Sequence, residues 1–370
     1  MAEALAFHST VNASLGCLQI ASLISPLSCR TFSSQYFEQR HHLVRSASAS
    51  SGVPSPPPRL RAADLPAIAA TWAFKIAQDH SQARILLPGS FEHDGAVWPD
   101  GTSLDGPAMD RALASNNTVV MHNMELYWRP VGELALSAMR AFGVYSQANV
   151  YFSPPGLRSA VHAHQDAQSV FIVQCEGRKR WQLFAPPQRW RLRLNQRGKA
   201  GDVAPPTELT NPIDDVTLAP GDVLFLPRGM YHRTATQLTE HAAPSPSPSL
   251  HITLGIETDT DDWTWLSLLR EAAATLKLPD AQARLDAAQW TDERLRAALP
   301  LALCRPGGSF EHTEPHGVIW LAHATGLLDH HLGAHGSSTV LRRALDGALR
   351  SRQDHVERKR RQLLDFVALG

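Results

Sequence analysis

From Asn149 onward the chain alternates short apolar stretches with turn signals, and the regions on either side of that stretch do not. Asn149–Phe152 runs into Ser153-Pro154-Pro155-Gly156, a turn. Val170–Gln174, the turn Glu176-Gly177 and Arg180–Phe184 read as a strand, a turn and a returning strand. Val216–Leu218 precedes Pro220-Gly221, Val223–Leu226 precedes Pro227-Arg228-Gly229, and Leu250–Ile256 is a further strand. Ala242–Ser249, made of Ala, Pro and Ser, reads as a loop joining two of these strands. Many short strands with Pro and Gly turns predict a sandwich or jelly roll.

Upstream, residues 18–45 read as a short helical entry that brings Phe32, Tyr36 and Phe37 close together. Ser46–Pro58 is low-complexity and reads as a loop. Pro66–Asp79 is a predicted helix with Ile68, Trp72 and Ile76 on one face. Thr118–Met121 is a predicted strand and Val131–Ala141 an amphipathic helix. After Asp262 the pattern turns helical: Trp263–Leu276, then Asp280–Leu299 closed by Pro300, then Val340–Leu364 with Leu341, Leu345 and Leu349 at i, i+4 spacing. The expected division is an extension over 1–17, a lead-in over 18–145, a β core over 146–258 and a helical region over 259–370. No internal repeat is visible.

The chain has 370 residues, 43% hydrophobic and 19% charged, which suits a packed core and excludes wholesale disorder. Its formal net charge of zero gives no sign of general binding to nucleic acid or to anionic membrane. Cys17, Cys29, Cys175 and Cys304 lie far apart without a CxxC pair, which argues against a zinc site or disulfide framework and fits a reducing compartment. No apolar run approaches the length of a membrane-spanning helix. The N-terminus is serine-rich and acid-poor, but no Lys or Arg precedes Arg30, which argues against organelle import.

The chemistry concentrates at His164-Gln165-Asp166. Residues i and i+2 of a strand face the same side, so an imidazole and a carboxylate can reach one cation without bending the backbone. His232 follows sixty-six residues after Asp166, beyond the turn Pro227-Arg228-Gly229. Two His and one carboxylate leave positions open on the metal, an arrangement suited to non-haem Fe(II) oxygenases. An HxD tripeptide alone is weak evidence, and His162 lies on the same strand face as His164 and competes with it as a ligand.

The surrounding segments are specific. Asn149-Val-Tyr-Phe-Ser-Pro-Pro-Gly156, His164-Gln-Asp166, Val170–Phe184, Leu218–His232 and Ser249-Leu-His-Ile-Thr253 follow in order. This series resembles the ribosomal oxygenases, a JmjC-type branch of the cupin Fe(II)/2-oxoglutarate oxygenases that hydroxylates His or Arg side chains of ribosomal proteins. Some eukaryotic members are described as histone lysine demethylases. The resemblance covers about residues 18–300. It implies a mainly β core with helices: a double-stranded β-helix, or jelly roll, preceded by short helices and followed by a mainly helical C-terminal region.

The resemblance further implies that His164, Asp166 and His232 are the catalytic Fe(II) ligands. His164 is favoured over His162 because it lies six residues before Val170. Lys179, fifteen residues after His164, matches the basic residue that holds the far carboxylate of 2-oxoglutarate. Asn149, Tyr151 and Ser249 match polar positions around that cosubstrate. The family generally has an acidic residue where this chain has Ala167. It often has a proline shortly before the first ligand, where this chain has Val161-His162-Ala163. The family's C-terminal winged helix has no evident counterpart in 301–370.

The implied partner is a protein, first a ribosomal protein and alternatively a histone. A histidine side chain is the expected acceptor, with lysine demethylation, small-molecule hydroxylation and a non-catalytic cupin binding module as rival readings. The post-cupin helices are a candidate homodimer surface; Trp263 and Trp265, flanking a helix start, read as packing a domain or dimer interface, with Trp290 further on. The basic run Arg358-Lys359-Arg360-Arg361 reads as a solvated helix face before a nuclear-localisation or RNA patch. His41-His42 and His330-His331 read as exposed and inert. The expected compartment is the nucleus or nucleolus, or the cytoplasm.

Overall fold

The computed structural model describes residues 20–46, 60–65, 83–86, 96–97, 106–185, 209–238, 247–257, 263–304, 308–310, 315–333 and 338–369. Pro66–Asp79, nearly all of the 46–58 segment and most of Ala242–Ser249 lie outside them. The strands are β1 (His42–Val44), β2 (Ala83–Leu86), β3 (Ala96–Val97), β4 (Thr118–Met121), β5 (Ser146–Ser153), β6 (Val161–His164), β7 (Ser169–Glu176), β8 (Lys179–Phe184), β9 (Asp214–Leu218), β10 (Val223–Leu226), β11 (Tyr231–Ala235) and β12 (Ser249–Ile256). They form an eight-stranded sheet in the order β1-β10-β7-β12-β5-β4-β2-β3 and a four-stranded sheet in the order β6-β11-β8-β9. Every pairing is antiparallel. This is the expected jelly roll.

The two sheets are patterned differently because they are covered differently. In β7, Val170 and Ile172 pack with Trp181, Leu183, Val216 and Leu218 of the smaller sheet. Their neighbours Phe171 and Val173 join the helix-side core instead. Both faces of the larger sheet are dry there, so β7 and β10 run as continuous apolar segments. β8 alternates: Trp181 and Leu183 point inward, while Arg180 and Gln182 are half-buried on the outer face. The β7–β8 turn carries Gly177 at φ +62°, and a Cβ at that position would overlap the carbonyl oxygen of Pro248.

Helices close the back of the larger sheet. Ser28 caps Cys29–Gln35 by accepting from the Thr31 N–H at 3.1 Å. That helix delivers Phe32, which stacks on Phe171 at 5.7 Å and meets Phe225 edge-on at 4.8 Å. The chain after it forms β1 on the sheet edge, a strand absent from the sequence reading of 18–45. Arg129–Phe142 lies on β5, and Ser338–Leu369 packs across that helix and Trp265–Thr275. In this terminal helix Leu341, Leu345 and Leu349 are all buried, as their spacing predicts.

Several expectations need correction. Asp280–Leu299 is not one helix but two, Ala281–Ala288 and Glu293–Arg296. Asp292 accepts the Arg294 N–H and starts a new helix there. Trp263 and Trp265 are 0% and 4% exposed, so they belong to the core and not to a dimer surface; Trp290 is 38% exposed. His41 and His42 are engaged, His41 with Asp214 at 2.9 Å and His42 with the Ser25 carbonyl at 3.0 Å. His331 bonds Asp292 at 2.8 Å, whereas His330 is exposed.

The basic run is largely tied up within the helix and its neighbour. Lys359 sits 4.0 Å over the Tyr145 ring, and Arg360 and Arg361 pair with Glu357. Cys29 is disulfide-bonded, contrary to the reading from cysteine spacing, while Cys175 and Cys304 remain thiols, donating to the Val173 and Pro300 carbonyls. Among the described residues after β12 there is no sheet, only helices and one isolated bridge, Thr264 to Ala298. No described helix is long and apolar enough to cross a membrane.

Candidate metal centre and cosubstrate pocket

β6 and β11 are neighbours in the smaller sheet, and His164 and His232 are direct partners in their register. A cross-strand pair places its side chains side by side, and the two imidazole centroids are 4.4 Å apart. Asp166 lies just past the end of β6, with its carboxylate oxygens 3.7 Å from His164 Nε2 and 3.6 Å from His232 Nε2. The three side chains offer ligand atoms that all lie within 4.8 Å of one another.

The second nitrogen of each ring fixes its role. His164 Nδ1 lies 2.7 Å from the His162 carbonyl, and His232 Nδ1 lies 3.0 Å from the Met230 carbonyl. A carbonyl only accepts, so each Nδ1 carries the proton and each Nε2 lone pair is left facing Asp166. This is the tautomer a metal-binding histidine needs. His162 contributes its carbonyl, not its ring, and its side chain is exposed outside the cluster. Of the two histidines, it is His164 whose ring joins the cluster.

Behind the triad lies a cavity of about 530 Å³ including its open mouth, lined by residues of both sheets. Asn149 and Tyr151 of β5 line it, as does Lys179 of β8. Lys179 is fully buried and donates to Ser153 Oγ at 3.1 Å. Burial without an anionic partner pushes its ammonium down to about 7. A carboxylate placed beside it would reverse that shift. Ser249 does not line the cavity: its hydroxyl is buried against Gln174 Nε2 at 2.9 Å. That position is a correction to the reading of Ser249 as a cosubstrate contact.

Besides the apolar Val161, Val170 and Ile172, the sequence reading missed four polar or aromatic strand residues of the lining. Trp181 stands two residues from Lys179, Thr234 two from His232, and His251 and Thr253 two and four from Ser249. The period-two rule that linked His164 to Asp166 would have reached all four. His251 stacks on Tyr151 at 4.9 Å and meets Trp181 edge-on at 5.6 Å. Burial, then the charge of Lys179, holds its imidazole well below the usual range and therefore neutral.

Comparison with known proteins bears on this arrangement. Residues 132–261, which contain the triad, the lysine and the sheet positions around them, match the family model of the JmjC domain. This stretch is similar to JmjC domains. The similarity beyond it is to proteins named bifunctional lysine-specific demethylase and histidyl-hydroxylase NO66. The protein of that name from Drosophila persimilis is 28% identical over 243 residues, covering 64% of this chain and 32% of the relative. The one from Drosophila willistoni is 40% identical over 95 residues, covering 26% of this chain and 12% of the relative. The chain thus spans a third or less of the length of these curated relatives. Among solved structures, the Escherichia coli ribosomal oxygenase YcfD, in complex with cobalt and 2-oxoglutarate, aligns at 16% identity. That alignment has a TM-score of 0.43 and covers 82% of this chain and 67% of YcfD.

The JmjC-like stretch reaches beyond the two sheets. Its match begins at Gly132, inside the Arg129–Phe142 helix, so the helix that backs β5 is part of the same unit.

Proposed function

We propose that this chain is an Fe(II)- and 2-oxoglutarate-dependent protein hydroxylase that holds iron through His164, Asp166 and His232. One observation carries the reading: two imidazoles with their Nε2 lone pairs facing one carboxylate, at the end of a cavity that also holds a buried lysine. The donor set is the two-histidine, one-carboxylate set that suits iron with open positions. When bound, iron and 2-oxoglutarate supply the oxidising chemistry, consuming O2 and releasing succinate and CO2.

The chain's own residues do the rest. The Met230 and His162 carbonyls fix the imidazoles in the ligating tautomer. Lys179 anchors the far carboxylate of 2-oxoglutarate, with Ser153 holding its ammonium in place. Asn149 and Tyr151 form the wall beside it, and Tyr151 also stacks on His251. Val170, Ile172 and Trp181 keep the inner cavity apolar and limit water. Asp166 keeps 13% of its side chain exposed, so the metal position can be approached from outside by a side chain of a large substrate.

The acceptor we propose is a histidine of a ribosomal protein, hydroxylated at the β-carbon. The order of segments from Asn149 to Thr253 and the naming of the relatives as histidyl-hydroxylases support it. Those relatives are equally named as lysine demethylases, so removal of methyl groups from histone lysines is the second reading. A nuclear, nucleolar or cytoplasmic setting is compatible with either substrate. The test is incubation of purified protein with Fe(II), 2-oxoglutarate and undermodified ribosomes, followed by peptide mass spectrometry. One added oxygen on a histidine, missing with Asp166→Ala, is the expected result. Oxygen found only on arginine reassigns the acceptor. Turnover of free small molecules with none of ribosomal protein overturns the substrate.

A further inference from the structure

The turn that delivers His232, Pro227-Arg228-Gly229-Met230, makes more contacts than a connection between β10 and β11 requires. The Gly229 N–H donates to the Asp166 carbonyl at 3.0 Å, and the Met230 carbonyl accepts from His232 Nδ1. Two successive residues of the turn therefore fix the backbone of the carboxylate ligand and the ring of the second histidine together. Arg228, the residue before them, is 2% exposed and is not among the residues lining the cavity.

The contacts of Arg228 come from three separate parts of the chain. Its Nε lies 3.1 Å and 3.2 Å from the two carboxylate oxygens of Glu38, and its Nη2 lies 2.7 Å from Glu38 Oε2. Nη2 also donates to the Arg296 carbonyl at 2.8 Å. The backbone N–H of Arg228 donates to Ser169 Oγ at 3.1 Å, and that hydroxyl donates to Glu38 Oε1 at 3.1 Å. Glu38 is 190 residues from Arg228 and precedes the JmjC-like stretch, while Arg296 follows it. A planar guanidinium held in this way has little freedom to rotate. A buried ion pair of this kind is weak evidence for stability, so its role is sought in geometry.

We propose that Arg228 is a positioning residue for the metal centre, through which Glu38 and the Arg296 carbonyl set the placement of Asp166 and His232. The proposal rests on the metal reading given above. It also means that the metal site of this JmjC-like stretch is completed from outside the stretch, by the N-terminal entry on one side and the post-cupin helices on the other.

Hydrogen exchange on the full-length wild-type chain, with and without Co(II), tests the coupling without any variant. Segments that share the geometry of the ligands are steadied when the ligands are, so protection is expected at 227–232 and also at 36–40 and 294–297. Co(II) affinity, read from its visible absorption, is the second measurement. Glu38→Gln keeps the shape and removes the charge, and a ten- to hundredfold weaker affinity is expected, the usual range for partners of metal ligands. Arg352→Met, which removes a partner of Glu271 in the helical region, controls for general loss of stability and should leave Co(II) affinity unchanged. Co(II) binding without protection at 36–40 and 294–297 overturns the inference and leaves the metal reading standing. Equal losses of affinity in Glu38→Gln and Arg352→Met do the same. No Co(II) binding by the wild-type chain overturns both.

Discussion

The two sheets divide the work unequally. The smaller sheet holds His164, His232 and Lys179, with Asp166 just past the end of its strand β6. The larger sheet, dry on both faces at β7 and β10, gives the cavity its opposite wall: Asn149, Tyr151, His251 and Thr253. In the proposed reading, the sheet with a wet outer face carries the chemistry, and the sheet backed by helices carries the rigidity. A cation and a dicarboxylate need entry from solvent, which a fully covered sheet cannot offer. A wall that must not yield needs packing on both sides, which the smaller sheet lacks.

The sharpest way to separate the roles is Asp166→Ala. It removes the only carboxylate of the triad while cutting little from the core. Loss of Co(II) binding and of all turnover is expected, with a melting temperature close to that of wild type. Full turnover with ordinary metal loading would show that the smaller sheet does not carry the chemistry.

Phe171→Ala addresses the larger sheet. Its ring is fully buried and meets Phe225 at 4.9 Å. Deleting a buried phenylalanine costs about 3–5 kcal/mol, by transfer and cavity terms together. Denaturant unfolding should show that loss, while Co(II) affinity at a temperature where the variant stays folded should change little. A stability change under about 1 kcal/mol would remove the distinction drawn between the sheets.

Lys179→Ala should act on cosubstrate alone, raising the KM for 2-oxoglutarate by roughly ten- to a hundredfold, the worth of one charge-assisted contact. pH sharpens the test. The folded, ligand-free lysine titrates near 7, below its unfolded value, so the unfolded chain binds more protons between about 7 and the ordinary lysine range. Stability without ligand should therefore rise with pH through that window. Affinity for 2-oxoglutarate should run the opposite way and fall above pH 7, because the bound carboxylate requires the ammonium. Melting curves and calorimetric titration, each compared with Lys179→Met, check the two slopes. An identical pH response in that variant would remove Lys179 from the anchor position.

Much of this architecture is legible in the sequence, for reasons specific to each element. The strands of the β core announce themselves because Gly and Pro turns bound each one. The proposed metal ligands are legible because two of them stand two residues apart at the end of one strand and the third follows a marked turn. Other features are hidden because their causes are long-range. Nothing local to His42–Val44 indicates that it will pair with β10, which lies about half the chain away. Asp280–Leu299 has helical composition throughout, and its break depends on Asp292 being held by its own cap and by His331. Ser249 shares a face with His251 and Thr253, yet its hydroxyl is taken by Gln174, a partner that strand periodicity cannot name. Glu38 and Arg228 are likewise invisible as a pair until the fold brings them together.

Gly177 has a consequence best put in genetic terms. Every glycine codon begins with two guanines, and any missense change in either introduces a residue with a Cβ. At this turn that atom has nowhere to go, because the Pro248 carbonyl already occupies the space. Pro248 leads directly into β12, the strand that presents His251 and Thr253 to the cavity. A single-base change in one codon, in a turn that holds none of the proposed metal ligands, would therefore displace a wall of the pocket. Heritable variation should be as sparse at Gly177 as at the ligands themselves.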